Sequence, residues 1–85
     1  MTRARPRVPR QVARSMIPGA RLDVLRPIRA SGTLVVETRN MVLLDVGGKV
    51  IKVPKRGSLF VLEGRYLVPG SALVGDPAER TVRSI

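Results

Sequence analysis

The sequence contains no cysteine and no histidine. Without cysteine there is no disulfide framework, no thiolate nucleophile and no Cys-ligated zinc ribbon. Without histidine the chain lacks the commonest general base and the commonest metal ligand. Any chemistry would rest on six carboxylates, or on Ser, Thr, Tyr and Lys. Aromatic side chains are nearly absent, Phe60 and Tyr66 being the whole set, so the core is expected to be aliphatic. Apolar runs reach only four residues, as in Met41–Leu44 and Leu59–Leu62, far below the roughly 20 that a membrane-spanning helix needs. The basic N-terminus carries no apolar stretch of the kind a secretory signal has, which predicts a cytoplasmic protein with no membrane partner.

What the sequence does have is positive charge. Across 85 residues, 16 Lys and Arg stand against six Asp and Glu, for a net charge of +10. That balance favours a polyanionic partner. A chain of this length makes one small domain that buries only about 60% of its unfolded surface. The charge is uneven. Residues 1–30 hold Arg3, Arg5, Arg7, Arg10, Arg14, Arg21, Arg26 and Arg29 against the single acid Asp23. Residues 1–16 read as a basic, disordered arm, because Pro6 and Pro9 and mutual repulsion oppose a stable helix. A short helical turn over Gln11–Ile17 is compatible with Val12 and Met16 at i, i+4 spacing, and Pro18-Gly19 would end it.

From residue 17 to 85 the pattern is that of a small all-β domain. Candidate strands cover Arg21–Arg26, Thr33–Thr38, Met41–Val46, Lys49–Val53, Ser58–Glu63 and Arg65–Val68. They are rich in Val, Leu, Ile and Thr and separated by turn residues. Arg39-Asn40 suits a tight hairpin because Asn tolerates positive φ. Gly47-Gly48 is the stronger hairpin signal, since both residues can take the positive φ of a primed turn. Within Lys49–Val53, Val50 and Lys52 share one face, and Lys49, Ile51 and Val53 the other. Six short strands with tight turns describe an antiparallel barrel or sandwich, and closing the sheet would remove its exposed edges. Asp76-Pro77-Ala78-Glu79 reads as a helix start, with Asp as N-cap and Pro in the first turn. A short C-terminal helix over Pro77–Arg83 is expected.

If the strands form a meander, the Arg39-Asn40 turn and the Pro54–Gly57 turn fall at one end of the barrel. This gathers Arg39, Asn40, Lys55 and Arg56 into a patch, with Arg29, Lys49 and Arg65 toward the other end. Such a patch suits phosphate, because Arg offers a bidentate fork and Asn a neutral donor. The candidate RNA-binding residues are Arg3, Arg5, Arg7, Arg10, Arg14, Arg39, Asn40, Lys49, Lys52, Lys55, Arg56, Arg65 and Arg80. Two rings are too few for base-stacking platforms, which points to a folded RNA read through its backbone. Glu37 and Asp45 are read as balancing nearby cations, and Asp23 as pairing locally. No catalytic or metal-binding residue is assigned.

The stretch from Gly32 through Glu37-Thr38-Arg39-Asn40-Met41 to Leu43, followed by Val53-Pro54-Lys55-Arg56 and Phe60, resembles the archaeal ribonuclease P protein component 1 family, the counterpart of the eukaryotic Pop four subunit. The resemblance covers roughly Ile17 to Arg80. It differs at the N-terminal region, which is short and proline-rich, and at Gly75–Glu79, where the family has Arg-Pro-Glu. The resemblance implies an Sm-like or SH3-like antiparallel β-barrel with a flexible basic arm and a short C-terminal helix. It implies a non-catalytic subunit of an RNA-catalysed endoribonuclease that matures the 5′ end of precursor tRNA. The implied partners are the ribonuclease P RNA, precursor tRNA through the holoenzyme, and a zinc-ribbon protein subunit. Magnesium would belong to the RNA, with no cofactor on the protein. By matching positions, Glu37, Thr38 and Asn40 look like a turn-shaping set, joined by Gly47 and Gly48, while Arg39, Lys55 and Arg56 face RNA. The other readings are a ribosomal or general RNA-binding barrel, an Sm-like interaction module and, weakest, a nuclease acting alone.

Overall fold

A computed structural model of the chain describes residues 9–75. The expected C-terminal helix over Pro77–Arg83 lies outside them, as do Arg3, Arg5, Arg7 and Arg80. A short helix α1 (Arg10–Ser15) precedes six strands: β1 (Arg21–Arg26), β2 (Ala30–Glu37), β3 (Met41–Val46), β4 (Lys49–Pro54), β5 (Leu59–Leu62) and β6 (Tyr66–Pro69). A 3-10 turn over Gly70–Leu73 follows. Apart from α1 and the 3-10 turn, the regular structure among the described residues is all β, as expected from the strand pattern. Residues 10–16 do not stand off as an arm. Val12 and Ala13 of α1, and Met16 just after it, are buried in the same core cluster as the strands.

All strand pairings are antiparallel, in the order β4-β3-β2-β1-β5-β6. Alternate residues point inward, as the pleat demands. Leu22 and Val24 of β1 pair with Leu62 and Phe60 of β5, and all four are buried. Val42 and Leu44 of β3, Val53 of β4 and Leu73 of the 3-10 turn complete the aliphatic core around the one phenylalanine. On β4, Val50 and Lys52 are exposed while Val53 is buried.

Two expectations are corrected. The strands are not a simple meander, because β5 pairs with β1 and not with β4. The apolar residues of β5 match those of β1 in register, which puts both sets into one core. The connection from Pro54 to Leu59 reaches about 18 Å at most. A flat sheet would separate β4 from β5 by about 19 Å, and a tight turn shortens the connection further, so the sheet must curl. The barrel is nevertheless not closed: β4 and β6 remain edge strands among the described residues. Each ends in proline, Pro54 and Pro69, which has no N–H to extend a ladder. The two ends meet instead by packing. Gly70, directly after β6, lies so close to the Lys55 backbone that a Cβ there would overlap the Lys55 carbonyl.

Candidate nucleic-acid interface

The turn between β2 and β3 is built around one hydroxyl. The Thr38 N–H donates to the Met41 carbonyl at 2.9 Å. The Met41 N–H donates to Thr38 Oγ1 at 3.1 Å, so the side chain does the work of a backbone carbonyl. Asn40 does not take positive φ; among the described non-glycine residues Glu63 does so, at 55°. Asn40 contributes its main chain instead. Its carbonyl accepts from the Lys55 N–H at 2.8 Å, and the Arg39 carbonyl accepts from the Gly75 N–H at 2.9 Å. Replacing Thr38 with Val should cost about 0.5–1.5 kcal/mol, one hydrogen bond's net worth, while Thr38→Ser stays near the parent. Urea unfolding midpoints check this.

The second turn begins where β4 ends. The Ser58 N–H donates to the Lys55 carbonyl, and Gly57 supplies φ of +78° at the third position. That is the geometry of a type II turn, with Arg56 exposed at its tip. The Gly70 N–H ties to the Ser58 carbonyl at 2.8 Å. Arg39, Asn40 and Arg56 therefore stand exposed on two short turns whose backbones are bonded to each other and to the segment after β6.

The sequence places Lys55 in that exposed set, and here the structure overturns the expectation. Its side chain is 0% exposed. The ammonium lies 2.7 Å from Glu37 Oε2, and the Glu37 side chain is only 5% exposed. Lys55 Nζ also donates to the Leu73 carbonyl at 2.8 Å. These are charge-assisted bonds in a dry setting. Glu37, at the end of β2, is engaged by this ion pair.

The remaining candidates are spread over the surface. Lys49 and Lys52 are exposed on β4, and Arg10 and Arg14 on α1. Lys49 follows the Gly47-Gly48 turn, where φ values of 60° and 89° make a primed hairpin and Asp45 Oδ1 accepts from the Gly48 N–H. The β1–β2 turn carrying Arg29 sits at the same end of β2 and β3 as that hairpin. Arg65 does not join them. It follows the β5–β6 turn, where the Glu63 N–H donates to the Arg21 carbonyl, at the opposite end of β1 from Arg29. Its guanidinium lies 5.5 Å from the Tyr66 ring centroid, a cation–π distance. Arg21, Arg26 and Arg29 are exposed as well, though none was among the sequence candidates.

The described carboxylates all have structural partners. Glu37 pairs with Lys55, Asp45 caps Gly48, and Glu63 accepts from the Arg21 N–H. Asp23 lies 3.6 Å from the Arg21 guanidinium. No helix among the described residues is long and apolar enough to cross a membrane.

No family model matches the chain. It is similar to ribonuclease P protein component 1 of Pyrococcus abyssi, with 39% identity over 74 residues. The match takes in 82% of this chain and 52% of that protein, so the chain spans about half the length of the curated relative it matches. This likeness bears out the family resemblance carried by the Glu37–Asn40 and Val53–Arg56 motifs.

Proposed function

We propose that this chain is a protein subunit of ribonuclease P, of the archaeal component 1 kind, that binds the enzyme's RNA through phosphate contacts. In this role it stabilises the RNA fold that removes the 5′ leader of precursor tRNA. The observation that carries the reading is the likeness to a ribonuclease P protein component across 82% of the chain. The net charge of +10 suits a polyphosphate partner. A sequence without His or Cys suits a subunit whose RNA supplies the catalysis, with magnesium held by that RNA. A zinc-ribbon protein subunit is the expected neighbour.

Arg39, Asn40 and Arg56 are the proposed phosphate-binding group. Their backbones are mutually tied, so two guanidinium forks are offered from a fixed base. Lys49, Lys52, Arg65, Arg10 and Arg14 add contacts elsewhere on the surface. Arg39→Ala and Arg56→Ala should each weaken binding to ribonuclease P RNA. Each should also lower the log–log salt slope by up to about 0.9, the value for one phosphate contact on a duplex. Titrations at several salt concentrations measure both quantities. Unchanged affinity and slope in both variants would remove this group from the interface. Equal binding to a ribosomal RNA fragment of the same length would leave only a general affinity for RNA.

A further inference from the structure

The group that holds Arg39, Asn40 and Arg56 together is itself buried and charged, which is costly unless the arrangement returns something. Taking an ammonium and a carboxylate out of water is repaid only with close geometry and further hydrogen bonds, and an apolar pair of the same volume often serves stability as well. Here the geometry is close, with 2.7 Å between Lys55 and Glu37 and 2.8 Å from Lys55 to the Leu73 carbonyl. Those contacts join three separate pieces of chain: the end of β2, the residue after β4, and the 3-10 turn after β6. The same three pieces carry the backbone ties from Lys55 to Asn40 and from Gly75 to Arg39.

We infer that Lys55 and Glu37 are positioning residues for RNA binding: their buried ion pair locks the Arg39-Asn40 turn, the Arg56 turn and the Gly70–Gly75 segment into one unit, and so sets the spacing of the two guanidinium groups. This rests on the ribonuclease P reading above. An apolar pair could fill the volume, but it could not tie the Leu73 carbonyl. A pair of long, flexible cations on untied turns would have to be ordered by the RNA, at a cost in affinity.

The test uses the full chain and ribonuclease P RNA. The double variant Glu37→Gln/Lys55→Met removes both charges of the pair and deletes no surface cation. Affinity and salt slope are measured well below its unfolding temperature, beside Arg39→Ala/Arg56→Ala. Positioning predicts a loss of about tenfold or more in affinity. It also predicts a fall in slope approaching the roughly 1.8 expected of the double arginine variant, at about 0.9 for each phosphate. A purely structural role predicts lower stability with affinity and slope unchanged in the folded protein, and that result overturns the inference. If the double arginine variant itself binds like the parent, the RNA-binding reading of this group has failed instead. Should the charge-free variant not fold, hydrogen exchange on the parent decides. The Lys55 and Gly75 amides should be protected as strongly as those of β3, and exchange near the unfolded rate would contradict the locked unit.

Discussion

Glu37→Ala should destabilise the protein by about 3–5 kcal/mol, the usual cost of stranding one partner of a buried ion pair. In a domain of this size that lowers the midpoint of thermal unfolding by roughly 12 °C or more. The reason is the loss of a close carboxylate from beside a buried ammonium. The Lys55 side chain is fully buried, and Glu37 Oε2 lies 2.7 Å from its Nζ. Lys55→Met in the same background should recover most of the loss, because a side chain of similar length then fills the space without a charge. The coupling energy from the full cycle isolates the pair from the two separate truncations. Calorimetry or urea unfolding of the three variants measures it. A loss below about 1 kcal/mol for Glu37→Ala, the range of exposed pairs, would mean that this pair contributes no more than a surface one.

Gly70→Ala is the second large effect, and its cause is steric. An added Cβ would overlap the Lys55 carbonyl oxygen, and it would crowd that residue's C and Cα atoms as well. Neither backbone is free to yield. Gly70 is held by its bond to Ser58, Lys55 by its bond to Asn40, and the Lys55 side chain by Glu37. Overpacking of this kind typically costs 1–3 kcal/mol, and a clash with fixed backbone belongs at or beyond about 3 kcal/mol. Gly57→Ala is the proper control. Gly57 also departs from ordinary backbone geometry, with φ of +78°, but a Cβ there meets nothing within 4 Å. Its penalty should therefore stay near the 1–2 kcal/mol of a left-handed L-residue. Equal losses in the two variants would show that β6 does not end against the Lys55 backbone.

The two halves of the buried ion pair differ in how far the sequence disclosed them. Lys49, Ile51, Val53 and Lys55 are spaced by two, so strict alternation already places Lys55 on the inward face with Val53. Reading it as an exposed cation gave its charge more weight than its phase. Glu37 was hidden for a different reason. Counting by two from buried Leu34 puts Val36 inside and Glu37 outside. The register shift between Leu34 and Val36 is a bulge that reverses the phase. Val35 and Val36 are both exposed, and Glu37 turns inward opposite Val42. Nothing in Leu34-Val35-Val36 marks a bulge, since all three residues suit a regular strand.

The strand positions themselves were legible, because Gly, Pro and Asn punctuate short runs of Val and Leu. β1 and β3 agree with their expected bounds, and the others differ by one to three residues at an end. The pairing of β5 with β1 was not legible. Alternation says which face of a strand is apolar, but it does not name the neighbouring strand. The open edges have the same origin, since the close approach of Gly70 to Lys55 depends on curvature that no local pattern encodes. The nearness of the Arg39-Asn40 and Arg56 turns was expected from a meander that the chain does not form, and it holds for another reason, the bond from the Lys55 N–H to the Asn40 carbonyl. Placing Arg65 with Arg29 and Lys49 failed because it relied on the meander.

Whether this protein serves ribonuclease P RNA is decided most directly by the RNA it carries. The chain would be purified from its native cells at moderately high salt, and the bound RNA sequenced. One dominant RNA is expected, and reassembled with the protein in magnesium it should cleave the 5′ leader from precursor tRNA. Recovery of ribosomal RNA, or of a mixture reflecting total cellular RNA, would contradict the ribonuclease P role.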